Sequence, residues 1–151
     1  MDLIIVLSDA KTQVLDEAAE RLARSHLGHY DATSPEEQRR RMEALFEVIV
    51  ESLKRRMLGP VIEYAERIAK DRFEDGFGIG EVQTAFNVLE ESIWRQVTVT
   101  VSASELAEAL GLLSTVLGAG KDALARTWVS LASEQHVPSL DLRALFRGTG
   151  G

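Results

Sequence analysis

The sequence predicts an all-α fold, a single helical domain, and three observations predict it. Apolar residues recur at spacings of three and four over most of the chain. Proline and glycine cut it into a few long segments. The one strand-like alternation, Val97-Thr98-Val99-Thr100-Val101, has no second strand to pair with and reads as a fraying helix end. A chain of 151 residues buries one continuous core. The expected architecture is about five main helices in helical-bundle or globin-like packing, with the domain over residues 1–137 and a short, partly disordered C-terminal segment over 138–151.

The first helix is expected from about Ser8 to Leu27, with Leu15, Ala18, Ala19, Leu22 and His26 on one face and Gly28 ending it. Ser34-Pro35-Glu36-Glu37 starts the second: serine caps free amides, proline suits the first turn, and the glutamates favour the positive end of the helix dipole. Met42, Leu45, Phe46, Ile49, Leu53 and Met57 form its apolar stripe, and Gly59-Pro60 closes it and opens the third helix. That third helix carries Val61, Ala65, Ile68 and Ala69 and ends near Phe73. The fourth begins at Ile79 or Gly80 with Val82, Ala85, Phe86, Leu89, Ile93 and Val97 in line. Ser104-Glu105 starts a fifth, long helix, whose Leu106, Leu110, Leu113, Leu117, Leu124, Trp128 and Leu131 recur near a heptad spacing and which Pro138 stops. Gly118-Ala119-Gly120 puts small residues in its middle, a place for a kink or for the close approach of another helix. Leu140 to Phe146 is expected to dock as one or two turns, and Gly148 to Gly151 to be disordered.

Composition narrows the function classes. The net charge of −7 opposes non-specific binding to nucleic acid or anionic membrane. Arg39-Arg40-Arg41 and Lys54-Arg55-Arg56 lie among acidic residues and read as solvated helix faces. The absence of cysteine removes disulfides, thiolate zinc sites and cysteine nucleophiles. Leu3 to Leu7 is too short for a signal sequence, and no apolar run reaches the roughly 18 residues of a membrane span. A cytoplasmic protein is expected, without cofactor.

Few residues suggest chemistry. Gly76, Gly78 and Gly80 invite comparison with a phosphate loop, but a dinucleotide fingerprint follows a strand, and here a helix precedes the glycines. Gly76 fits the left-handed position after a helix end, with Phe77 as its hydrophobic contact. His26, His29 and Asp31 are the candidate metal ligands, although Gly28 interrupts the helix between the histidines and no fourth ligand is identifiable. The two helices from Pro60 to Val97 contain no histidine to ligate haem. Glu36-Glu37 and Glu90-Glu91 are adjacent on helices and point about 100° apart, so neither pair converges on a substrate. No enzyme is expected.

The order of segments resembles a family. SPEEQRRRMEALFEVIVESL, followed by PVIEYAERIAKDRFEDGFGIGEVQTAFNVLEESIWRQV, is similar to the N-terminal domain of the RsbT co-antagonist proteins, the RsbR-type sensors of bacterial stressosomes. Arg72, Gly76, Phe77, Val82, Leu89 and Trp94 carry the likeness, which spans about residues 10 to 135. It implies a globin-like helical domain without haem, dimeric, that senses or relays a signal and has no catalytic residues. Relatives of this kind commonly continue into a STAS output domain, whereas this sequence stops at Gly151: either it is a freestanding domain, with a STAS-domain or kinase-type regulatory protein as the expected partner beside a second copy of the chain, or it is a fragment of a longer protein. The expected dimer interface is the stripe of Leu117, Leu124 and Trp128, with the core of the same chain as the alternative destination for these side chains. A small-ligand pocket is the second functional expectation, placed near Phe46, Phe86 and Trp94.

Overall fold

The computed structural model describes residues 2–25, 27–28 and 32–136. Its five main helices are α1 (Leu3–Arg24), α2 (Pro35–Arg55), α3 (Gly59–Glu74), α4 (Ile79–Thr100) and α5 (Ala103–His136), with no strand among the described residues. The all-α class follows directly from the three- and four-residue apolar spacing.

The helix ends are set by local chemistry. α1 starts five residues earlier than periodicity suggests, because Asp2 accepts a hydrogen bond from the Ile4 amide at 2.9 Å and caps the apolar run. Leu3 and Leu7 thereby enter the core, while Ile5 faces solvent. Ser34 caps α2 by accepting from the Glu37 amide at 3.1 Å, with Pro35 in the first turn. α2 then stops before Gly59-Pro60. Arg56 takes the left-handed conformation, φ 54°, while the Arg56 and Met57 amides bond back to the Leu53 and Ser52 carbonyls. This is the two-bond helix stop usually built on glycine. Met57 consequently leaves the apolar stripe and lies exposed. Gly59-Pro60 only opens α3, whose Val61 amide donates to the buried Ser52 Oγ at 3.1 Å.

Two pairings organise the core. α5 packs most extensively along α3, α1 along α4, and α2 touches both sets. Leu7, Leu15 and Leu22 of α1, Phe46 and Ile49 of α2, Leu89 and Ile93 of α4, and Leu113, Leu117 and Leu124 of α5 are almost completely buried. Removing that apolar area from water is the main stabilising term. α4 stays helical through Thr100, so the alternating valines do not form a strand; Val97 and Val101 are buried, and Val99 is exposed.

Salt bridges rim the packing. Lys11 reaches Glu43 and Glu47, and Arg39 reaches Asp16, tying α1 to α2. Arg21 meets Glu91 at 2.6 Å and Arg95 meets Glu17 at 2.9 Å, tying α1 to α4, while Lys121 meets Glu90 at 2.8 Å between α5 and α4. Hydrogen bonding to Glu47, and less to Glu43, holds the Lys11 ammonium above its ordinary pKa. Exposed pairs of this kind each contribute at most about 1 kcal/mol, so they select helix neighbours more than they stabilise the fold.

Candidate functional site

The glycine corner is a helix stop. Gly76 has φ 85°, its amide donates to the Phe73 carbonyl at 3.1 Å, and the Phe77 amide donates to the Arg72 carbonyl at 3.0 Å. At the start of α4, the Gly78 amide faces Glu81 Oε1 at 3.4 Å. The chain's own carboxylate thus lies where a phosphate loop would hold phosphate, and it complements the dipole of α4.

The α5 stripe is spent inside the protomer. Leu117 and Leu124 are 1% and 0% exposed, and Trp128, at 8%, meets the Phe73 ring edge-on with centroids 5.5 Å apart. Side chains packed in this way do not offer a surface to a second copy, which corrects the expected interface at Leu117, Leu124 and Trp128. The small patch has the same explanation. α5 runs unbroken through Gly118-Ala119-Gly120, and a Cβ at Gly120 would lie 3.0 Å from Val61 Cγ2 and 3.6 Å from Phe86 Cε2. Gly120 admits α3 and α4 of its own chain.

Phe46, Phe86 and Trp94 do not share a pocket. Phe46 and Phe86 are buried core residues, whereas Trp94 is 38% exposed, on a flank of α4 about a quarter-turn round from the Phe86–Leu89–Ile93 stripe. One residue along a helix is a rotation of about 100°, enough to carry Trp94 out of the core while Ile93 stays in. Trp94 instead stands in a shallow hollow on α4, with Glu90, Glu91, Arg95, Thr98 and Val99. His26, His29 and Asp31, weighed as metal candidates where no metal was expected, the side chain of His136, and the C-terminal segment 138–151 lie outside the described residues. Among the described residues no cluster of three metal-ligating side chains occurs, and no helix is long and apolar enough to cross a membrane.

Two other features were not legible by spacing. A cleft of about 730 Å³ opens between the start of α1, the α2–α3 corner and α5, with the exposed Met57, Leu58 and Leu112 on its walls and Lys54 and Arg56 at its edge. It exists because Arg56 ends α2 early and turns Met57 and Leu58 outward. The second feature is at the α3–α4 corner, where the guanidinium carbons of Arg41 and Arg72 lie 6.0 and 5.7 Å from the centroid of the Phe77 ring. The basic run at 39–41 is therefore divided. Arg39 and Arg40 are exposed and ion-paired, while Arg41 turns inward to Phe77.

Residues 12–137 match the family described as the RsbT co-antagonist protein rsbRD N-terminal domain. No curated protein and no solved structure matches the chain. The matched span begins inside α1 and runs past the last turn of α5, so it takes in the α2 cap, the glycine corner and the whole α3–α5 packing. The helix order, the Arg72–Gly76–Phe77 corner and this match over most of the chain place the protein in the RsbT co-antagonist rsbRD N-terminal domain family.

Proposed function

We propose that this domain is a non-enzymatic signalling module of the stressosome-sensor type, which acts as a homodimer and through contacts with a STAS-domain or kinase-type regulatory protein in the cytoplasm. The family match over residues 12–137 is the observation that carries this reading. The dimer surface is the outer face of α4, centred on Trp94. An exposed tryptophan flanked by charge is the usual anatomy of an interface anchor and its rim. Glu90 and Glu91 lie on one side of Trp94 along the helix and Arg95 on the other. Each of these charges is already paired within its own protomer, with Lys121, Arg21 and Glu17, so a twofold contact of α4 with its own copy places the two tryptophans at the centre and neutralised ion pairs at the rim.

Light scattering tests this assignment. The wild type is expected at twice the 16.7 kDa chain mass. Trp94→Asp is expected at the monomer mass with unchanged helical circular dichroism, because Trp94 lies outside the core. A wild type that stays monomeric at high concentration, or a Trp94→Asp protein that stays dimeric, would sink it.

A second reading is a small-ligand sensor, and the cleft favours it. Met57, Leu58 and Leu112 are 58%, 38% and 47% exposed on walls that enclose a volume in the range of small-molecule sites. Native mass spectrometry of freshly purified protein is expected to retain a ligand that Leu112→Glu loses. A bare chain mass under all conditions, with none regained on incubation with cell extract, removes this reading.

A further inference from the structure

The cleft beside the α2–α3 corner carries unpaired charge of both signs, and the fold keeps the two signs apart. Ser52 Oγ accepts from the Val61 amide at 3.1 Å, and a Cβ on Gly120 would lie 3.0 Å from Val61 Cγ2. The end of α2 is thereby held level with the middle of α5, next to Val116. Back from Val116 to Glu108, α5 rises about 12 Å. Lys54 and Arg56 line the cleft at the corner, and Glu108 lines it near the start of α5. None of these three side chains makes an ion pair among the described residues. Arg55, between the two cations, pairs with Glu51 away from the cleft. The Leu53 and Ser52 carbonyls already accept from the Arg56 and Met57 amides, so the last turn of α2 does not engage the cations either. Of the other acids on the walls, Asp2 caps the Ile4 amide and Glu105 accepts from Ser102 Oγ at 3.1 Å.

Between the charged ends the walls are apolar. Met57, Leu58 and Leu112 are exposed there, with Val116 beneath them. Such a cleft selects its occupant at three places: an anion at the corner, a cation about 12 Å away, and apolar surface between them. A hydrocarbon chain with one polar head satisfies one end and lays apolar atoms against the charge at the other, which costs desolvation. An extended peptide of about four residues spans the same length. Its terminal carboxylate and ammonium supply both charges, and its side chains supply the apolar contact. The cleft volume of about 730 Å³ holds it, and the open side leaves its backbone amides hydrated.

We propose that this cleft receives a short apolar peptide with free termini, its carboxylate at Lys54 and Arg56 and its ammonium at Glu108. The proposal rests on the small-ligand reading of the cleft and names the class of ligand.

Calorimetric titration of the full chain tests it, with the tetrapeptide Ala-Leu-Val-Ala as the probe and the methionine methyl resonances followed by NMR. Saturable binding is expected to move the Met57 signal and to leave that of the buried Met42 in place. Acetylating the amino end or amidating the carboxyl end of the probe should each weaken binding by about five- to tenfold. The two losses have separate origins. Lys54→Gln combined with Arg56→Asn should remove the cost of amidation and keep that of acetylation, and asparagine tolerates the left-handed backbone at this position. Glu108→Gln should do the reverse. All three side chains are exposed, so these variants keep the fold. The proposal is overturned if the probe does not saturate, if the doubly blocked probe binds as well as the free one, or if decanoate, with a single head, displaces the peptide at lower concentration. Where one of these outcomes accompanies a retained ligand that Leu112→Glu loses, the small-ligand reading stands and the ligand class alone fails. Where no ligand is retained either, both fall.

Discussion

Replacing Trp128 with aspartate is expected to prevent folding, or to lower the melting temperature by more than about 10 °C, and not to release a folded monomer. The indole is 8% exposed and packs edge-on against Phe73 at 5.5 Å, at the main α3–α5 contact. Truncating a buried aromatic costs about 3–5 kcal/mol. Placing a carboxylate in the vacated space adds a desolvation cost of a further several kcal/mol unless the group protonates. Against a total stability of about 5–15 kcal/mol, that is decisive. Trp128→Phe keeps the ring contact and is expected to cost less than about half as much. Circular dichroism melts decide the matter. A folded, monomeric Trp128→Asp protein would show that this side chain belongs to an interface after all, and that the protomer's core does not depend on it.

Two glycines on one helix are expected to respond in opposite directions. Gly120→Leu should destabilise by about 1–3 kcal/mol, as overpacked core positions do. Its new Cβ starts 3.0 Å from Val61 Cγ2 and 3.6 Å from Phe86 Cε2, on side chains with no free space behind them. The gain in helix propensity of about 1 kcal/mol offsets only part of the strain. Gly118→Ala, two residues earlier, meets nothing within 4 Å and should stabilise by up to about 1 kcal/mol. Urea unfolding of both variants measures the contrast. If Gly120→Leu is as stable as wild type, α5 does not approach α3 and α4 as closely as described.

These two substitutions fall where sequence reading was least reliable. The helices themselves were legible, because a three- and four-residue apolar period is a local signal, and so were Ser34-Pro35 and Gly76 as start and stop. The end of α2 was not. Arg56 in a left-handed conformation is a stop that residue type does not announce, and from it follow the outward turn of Met57 and Leu58 and the cleft beside them. Trp94 was misplaced for a different reason: it was expected in a pocket with Phe46 and Phe86, while its angular position, one step past Ile93, put it on the surface.

The sequence by itself determined the helical class, the order of the helices, the family, and the set of residues able to form a core. It also contained the Leu117–Leu124–Trp128 stripe, without saying what would cover it. Periodicity defines a face of a helix but carries no information about which neighbour arrives there. Only the tertiary structure decided that α3 and α4 cover that face, with Gly120 small enough to admit them, and that Trp94 is left outside. It alone brought Arg41 and Arg72, separated by a full helix in sequence, to the same aromatic ring. The physical reason is common to all three. Local patterning acts over one or two turns, whereas the partner of a buried face or a buried charge is chosen by long-range packing, where the whole chain must be satisfied at once.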